Sequence, residues 1–233
     1  MTTFVCVHGA FRGGWAFEAV GRELVRLGHD VHAPSLTGMG DRSHLRPANL
    51  GLSTWVDDVV STLERHDLRD VVLVGHSMGG LVITAAAPHC AGRVAALAFI
   101  DAPEPRDGER GVDLGPPLPA DVEAPPLPPR DTWMAPTPLT EASGLTAELI
   151  EWVNQRLCDT PLAPSLDPVE LGSAGESIAR HRLFAARTPP GYPSTVTRAR
   201  LDAEGVASDV LDAPHDLILT HPVAVAAWLA KLG

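Results

Sequence analysis

The chain has 233 residues, 45% hydrophobic and 20% charged, the profile of one globular domain with a sizeable core, which excludes a disordered, fibrous or disulfide-stapled protein. A net charge of −11 repels phosphate backbones and anionic membrane surfaces, so the expected partner is a small molecule and neither nucleic acid nor a membrane. The three cysteines, Cys6, Cys90 and Cys158, are far apart and form no CxxC pair, which argues against zinc binding or redox exchange and for a reducing compartment.

The opening Met-Thr-Thr runs straight into an apolar stretch with no basic region before it. No apolar run approaches the roughly 20 residues of a bilayer span, so a cytoplasmic location is expected. Phe4–Val7 predicts a strand, Trp15–Leu27 a helix, Asp30–Ala33 a strand, Ser53–His66 a helix capped by Ser53, and Val71–Val74 a strand. A helix over Met78–Ala87, stopped by Pro88, and a strand over Val94–Ile100 follow. These strands are apolar without polar alternation, as strands buried on both faces should be. Composition breaks at Asp101: of 22 prolines, 17 lie between Pro103 and Pro193. Gly115–Pro138 therefore reads as an irregular excursion outside the main sheet, followed by one helix around Leu145–Leu157. Strand Arg182–Ala186, helix Ser194–Ala203, strand Ser208–Leu211 and helix Pro222–Leu232 then resume the pattern. The series predicts an α/β fold with a mostly parallel sheet of about six strands and helices on both faces. Residues 1–102 and 181–233 form its core, with 103–180 inserted as a cap.

Gly75-His76-Ser77-Met78-Gly79-Gly80 follows a strand and opens a helix, the context of a G-x-S-x-G nucleophile elbow. The sharp turn strains Ser77 and admits neighbouring chains only if the residues two before and two after lack side chains. Ser77 Oγ is then pushed out over the sheet's carboxyl end, and the Met78 N–H is placed to stabilise an oxyanion. His8-Gly9-Ala10 with Gly13-Gly14 ends the first strand, where Ala10 N–H supplies a second donor and His8 suits a structural role. GxGxxG spacing and a P-loop lysine are both missing, so this loop is no phosphate cradle. A base must come later in the chain. His215, between the last strand and the closing helix, returns to the edge that carries Ser77, whereas His181 precedes its strand and His221 starts a helix. Arg187–Pro193 offers no carboxylate, so Asp101, directly after Val94–Ile100, becomes the candidate acid, with capping of the insertion as its alternative role. Asp209, Asp212 and Asp216 are too local to His215 to be preferred.

At these residues the chain resembles the α/β-hydrolase superfamily, and more narrowly the small esterases related to plant methyl-salicylate and methyl-ester esterases. Val5–Ala10 with Gly13-Gly14-Trp15, Gly28–Val31 with Ala33-Pro34, Val72–Gly80, and Arg93-Val94 leading to Ile100-Asp101-Ala102 carry the resemblance across the core but not the insertion. It implies Ser77 as nucleophile, His215 as base, and Ala10 and Met78 as oxyanion donors. Plant members place their aspartate where this chain has Pro189 and a glycine where it has Pro214. Haloalkane dehalogenases and other branches carry the acid after the earlier strand, as at Asp101.

The expected activity is that of a serine hydrolase cleaving a small to medium hydrophobic carboxylic ester through an acyl-enzyme, with no cofactor and no metal. Thioester, lactone and carbon–carbon hydrolysis use the same apparatus. A non-hydrolytic ligand-binding or cyclase-like protein is the alternative of another class. Dehalogenases and epoxide hydrolases need a carboxylate at position 77, and hydroxynitrile lyases a cap lysine, whereas the only lysine is Lys231. Candidate substrate contacts are Phe11, Trp133 and Trp152. Met134, Leu139, Leu145 and Leu149 share their apolar character, although the helical spacing of Leu145, Leu149 and Trp152 equally describes packing.

Overall fold

The computed structural model describes residues 1–118, 121 and 123–233. Its main sheet has six strands: β1 (Thr3–Val7), β2 (Asp30–His32), β3 (Val71–His76), β4 (Val94–Ile100), β7 (Ala179–Ala185) and β8 (Asp209–Leu211). Their order is β2-β1-β3-β4-β7-β8, and every pairing is parallel. A separate antiparallel pair, β5 (Trp133–Met134) and β6 (Thr160–Pro161), lies between β4 and β7 in the chain.

Alternation along each strand splits the core in two. Val5, Val7, Leu73, Leu97 and Phe99 face one side, against α2 (Leu52–Arg65) and α3 (Gly79–Cys90). Phe4, Cys6, Val72, Val74 and Ile100 face the other, against α1 (Glu18–Arg26), α8 (Leu217–Thr220) and α9 (Pro222–Leu229). Each large side chain removed from water this way contributes about 1.5–3 kcal/mol, so both helical layers are held by the continuous apolar runs of the strands. The remaining helices are α4 (Ala147–Asn154), α5 (Ala163–Leu166), α6 (Gly172–Glu176) and α7 (Pro193–Ala203). None of the helices among the described residues is long and apolar enough to cross a membrane.

Local boundaries differ from the sequence expectation for identifiable reasons. Pro88 does not stop α3, which runs on to Cys90. Ser53 does not cap α2, whose N-cap is Gly51. The Gly51 N–H donates to Thr54 Oγ1 and the Leu52 N–H to Asp167 Oδ2, so a carboxylate 115 residues distant in sequence does the capping. β7 starts three residues early and takes in His181, which pairs with Ala98. The region Gly115–Pro138 contributes nothing to the main sheet among the described residues, and Pro119, Ala120 and Val122, which fall in it, lie outside them.

Strand order reverses at β1: the chain moves from β1 out to β2, then back across to β3. In open parallel sheets the loops at the carboxyl ends of strands diverge at such a switch point and leave a crevice. The loops after β1 and β3 are the two that open here.

Candidate active site

Ser77 opens the turn from β3 into α3 with φ +52°. Only glycine allows this turn at its neighbours. A Cβ on Gly75 would lie 2.7 Å from the Gly79 carbonyl group, one on Gly79 2.3 Å from the Val7 carbonyl oxygen, and one on Gly9 2.8 Å from Ser77 Cβ. Among the described residues five non-glycines have positive φ, and three of them, Phe11, Ser77 and Asp101, belong to the candidate site, where strain is commonly stored. The neighbouring strand restrains two of them. The Ser77 N–H donates to the Ile100 carbonyl at the end of β4, and the Asp101 N–H to the Leu183 carbonyl of β7. Phe11 is gripped from the segment around β6: its N–H donates to Thr160 Oγ1 over 2.7 Å, and its carbonyl accepts from the Cys158 N–H.

Three side chains meet over this edge. His215 Nε2 lies 3.0 Å from Ser77 Oγ, and His215 Nδ1 lies 2.5 Å from Asp101 Oδ2. An Nδ1–H donated to the carboxylate leaves Nε2 free to accept the serine hydroxyl proton. Burial pushes the Asp101 carboxyl up, but hydrogen bonding and charge from His215, with the Thr188 hydroxyl and the Ala185 N–H, outweigh it and hold it below its ordinary value. The Asp101 carboxyl is therefore an anion at neutral pH.

Two further imidazoles frame the site without joining the relay. His8 is fully buried; its Nδ1–H donates to the Gly9 carbonyl, and its Nε2 accepts the Leu36 N–H. Burial pulls its pKa down to about 4, so the ring is a neutral strut beneath the Gly9–Ala10 turn. His76 donates from Nε2 to the His215 carbonyl over 2.9 Å, and burial together with the charge of His215 lowers it to about 4. It ties the strand before Ser77 to the backbone of His215.

The edge opens into a cavity of about 660 Å³, within the range of small-ligand sites. Gly9, Ala10, Met78 and the three relay residues line its floor, and Leu114, Met134 and Leu139 contribute apolar wall from the segment between β4 and β7. Among the described residues no protein acceptor takes the N–H of Ala10 or Met78. Phe11 lines the cavity, but Trp133 and Trp152 do not. Adjacent residues of a strand face opposite ways, and in β5 it is Met134 that turns inward, while Trp133 packs on Gly38 beneath the Arg46 guanidinium. Trp152 sits edge-on to Trp15, 5.1 Å between centroids, and under Arg156. Leu145 is buried in the core, and Leu149 packs against it.

Sequence reasoning passed over Arg12, Thr160, Thr188 and Tyr192, and weighed Asp216 only as an acid too local to His215. Asp216 accepts from Arg12 through both oxygens at 3.1 Å, and the Tyr192 ring lies 4.6 Å from that of His215. Tyr192 is the only tyrosine in the chain and sits in the loop after β7, which is the one signal that pointed to it.

Comparison with known proteins gives this geometry its family. The model of the alpha/beta hydrolase family matches residues 4–228. The chain belongs to that family. A carbendazim hydrolyzing esterase from Nocardioides sp. (strain SG-4G) is 34% identical over 246 aligned positions, covering all of both chains. A pyrethroid hydrolase from Sphingobium wenxiniae is 35% identical over 105 residues, which is 44% of this chain and 36% of that protein. The crystal structure of a methylesterase from Arabidopsis superposes with a TM-score of 0.79 at 20% identity, covering 99% of this chain and 98% of the other. At that identity the match speaks for the fold, with its parallel sheet and helical layers. With esterases and hydrolases among its family relatives, the chain is an enzyme, a hydrolase of the carboxylesterase type.

Proposed function

We propose that the protein cleaves a neutral, small to medium hydrophobic carboxylic ester with Ser77 as nucleophile, His215 as base and Asp101 as acid. The observation that carries this reading is the unbroken line from Asp101 Oδ2 through the His215 ring to Ser77 Oγ, opening on an apolar cavity. Ser77 Oγ attacks the ester carbonyl as its proton passes to His215 Nε2. The tetrahedral oxyanion is received by the N–H groups of Ala10 and Met78, helped by the dipole of α3. Collapse expels the alcohol, which takes the proton back from Nε2. Water then attacks the acyl-enzyme, giving its proton to the same nitrogen; the bond from the acyl carbon to Ser77 Oγ breaks as Nε2 returns that proton to Oγ, and the acid product is released. No step calls for a cofactor or metal.

Substrate neutrality follows from the charges inside the cavity. Arg12 is paired with Asp216 and Arg187 with Asp212, so neither guanidinium lining the cavity has its charge to spare for an anionic substrate, and the Asp101 carboxylate, whose oxygens are taken by His215, Thr188 and Ala185, is not free to bind a cation. Residues 103–180 act as the cap that supplies the apolar wall. The enzyme is cytoplasmic, in keeping with its three free cysteines.

The test is a panel of p-nitrophenyl esters and acyl thioesters, with carbendazim and a pyrethroid ester included on the strength of the two relatives' names. Labelling by a fluorophosphonate probe runs beside it. Turnover of neutral apolar esters with labelling at Ser77 is expected; failure of the probe to label folded protein would overturn the serine mechanism.

A further inference from the structure

We propose that Thr188 is a positioning residue of this site: its hydroxyl, reaching in from the loop after β7, fixes the Asp101 carboxylate in the orientation that His215 requires. The inference rests on the serine-hydrolase reading of the relay. Thr188 Oγ1 donates to Asp101 Oδ2 over 2.6 Å, and the same oxygen receives His215 Nδ1–H. The other oxygen, Oδ1, takes the Ala185 N–H at 3.1 Å. One element, β7 with its following loop, therefore holds an acid that belongs to the end of β4.

The acid needs this hold because its own backbone gives it little. Asp101 sits at φ +41°, a region an aspartate tolerates but does not prefer. Its side chain is almost fully buried, where a carboxylate without donors is costly. With Ala185 alone on Oδ1, the carboxylate plane is free to swing about that single bond. The second donor removes this freedom, and Thr188 is suited to provide it because branching at Cβ restricts its χ1. Oδ2 is thereby aimed at Nδ1, and the tautomer that presents a bare Nε2 to Ser77 is selected.

The experiment compares Thr188→Val, which keeps the shape and removes the donor, with Thr188→Ser, which keeps the donor. Asp101, His76, Asp216 and Tyr192, the titratable groups packed around His215, are unchanged in both. Thr188→Val is expected to lower kcat for a p-nitrophenyl ester about tenfold, the scale of a lost hydrogen bond to a charged group, with KM little changed. Losing a donor to the anion raises the proton affinity of the acid–base pair, so the acidic limb of the kcat profile should move to higher pH. Thr188→Ser should restore both. A second measurement needs no substrate: in a Ser77→Ala background, the NMR titration of the His215 ring should shift upward on adding Thr188→Val. Unchanged kcat and an unmoved titration in Thr188→Val overturn the proposal, as does a kcat loss that Thr188→Ser fails to repair. If the parent turns over no ester, the hydrolase reading fails, while the titration still decides the role of Thr188.

Discussion

Arg12 and Asp216 form a buried ion pair that joins the loop after β1 to the loop after β8, with Arg12 Nη2 3.1 Å from each carboxylate oxygen and both side chains more than nine-tenths buried. One partner stands two residues beyond Ala10, and the other directly follows His215. Burial pushes the Asp216 carboxyl up, but the Arg12 guanidinium, with the nearby imidazoles, outweighs this and keeps it below its usual value.

Removing one partner strands the other charge in the interior. Arg12→Met or Asp216→Leu alone should therefore destabilise the fold by about 3–5 kcal/mol, while the double variant recovers most of the loss. Urea unfolding of the three variants checks this. Additive losses in the double variant would mean that the pair is not coupled.

The acid assignment predicts a large asymmetry among the aspartates near His215. Asp101→Asn keeps the shape but favours the wrong imidazole tautomer, a change that costs on the order of 10⁴ in kcat in the serine-protease template. Asp209 accepts from Trp228 Nε1, and Asp212 pairs with Arg187, so their Asn variants should retain kcat close to the parent's. Steady-state kinetics on purified, folded variants decides between these outcomes, and equal losses in all three would remove Asp101 from the mechanism.

Stability should fall on mild acidification because of His8 and His76. Both titrate at about 4 in the fold, against 6.5 for the unperturbed group. Their contribution is complete above pH 6.5 and is lost as pH falls toward 4, because the unfolded chain binds protons that the folded one refuses. At pH 5 unfolding should take up roughly two protons from these rings. Asp101, Glu104 and Asp216, all lowered, add their losses only further down, through the carboxylate range. Urea midpoints measured from pH 7.5 to 4.5 test the sign; a flat profile between 7 and 5 would show that neither imidazole is held neutral.

Much of this architecture was legible because each signal was local. The β3 strand, the glycines around Ser77 and the helix after it are contiguous, and every one of those glycines faces backbone too close for a Cβ. His215 followed from chain order, and Asp101 from being the first carboxylate at the end of its strand. What escaped the sequence depends on residues brought together across the chain. Asp167 capping α2, Thr160 gripping Phe11 and Thr188 holding Asp101 span 115, 149 and 87 residues, and no periodicity encodes such pairs. Trp133 was misjudged for a subtler reason. In a two-residue strand either neighbour can face inward, and only the register of β5 with β6 turned Met134 to the cavity.

The central claim, that Ser77 is the nucleophile, is tested most directly by Ser77→Ala. The hydroxyl leaves no hole that water must fill, so the variant should unfold at a similar urea concentration and keep the cavity intact. Its kcat on an ester that the parent hydrolyses should drop by several orders of magnitude, on the order of 10⁶ where the nucleophile of a serine hydrolase has been removed. No acyl adduct should then appear by mass spectrometry under conditions where the parent forms one. Substantial turnover by pure Ser77→Ala protein, or an adduct at another residue, would contradict the account.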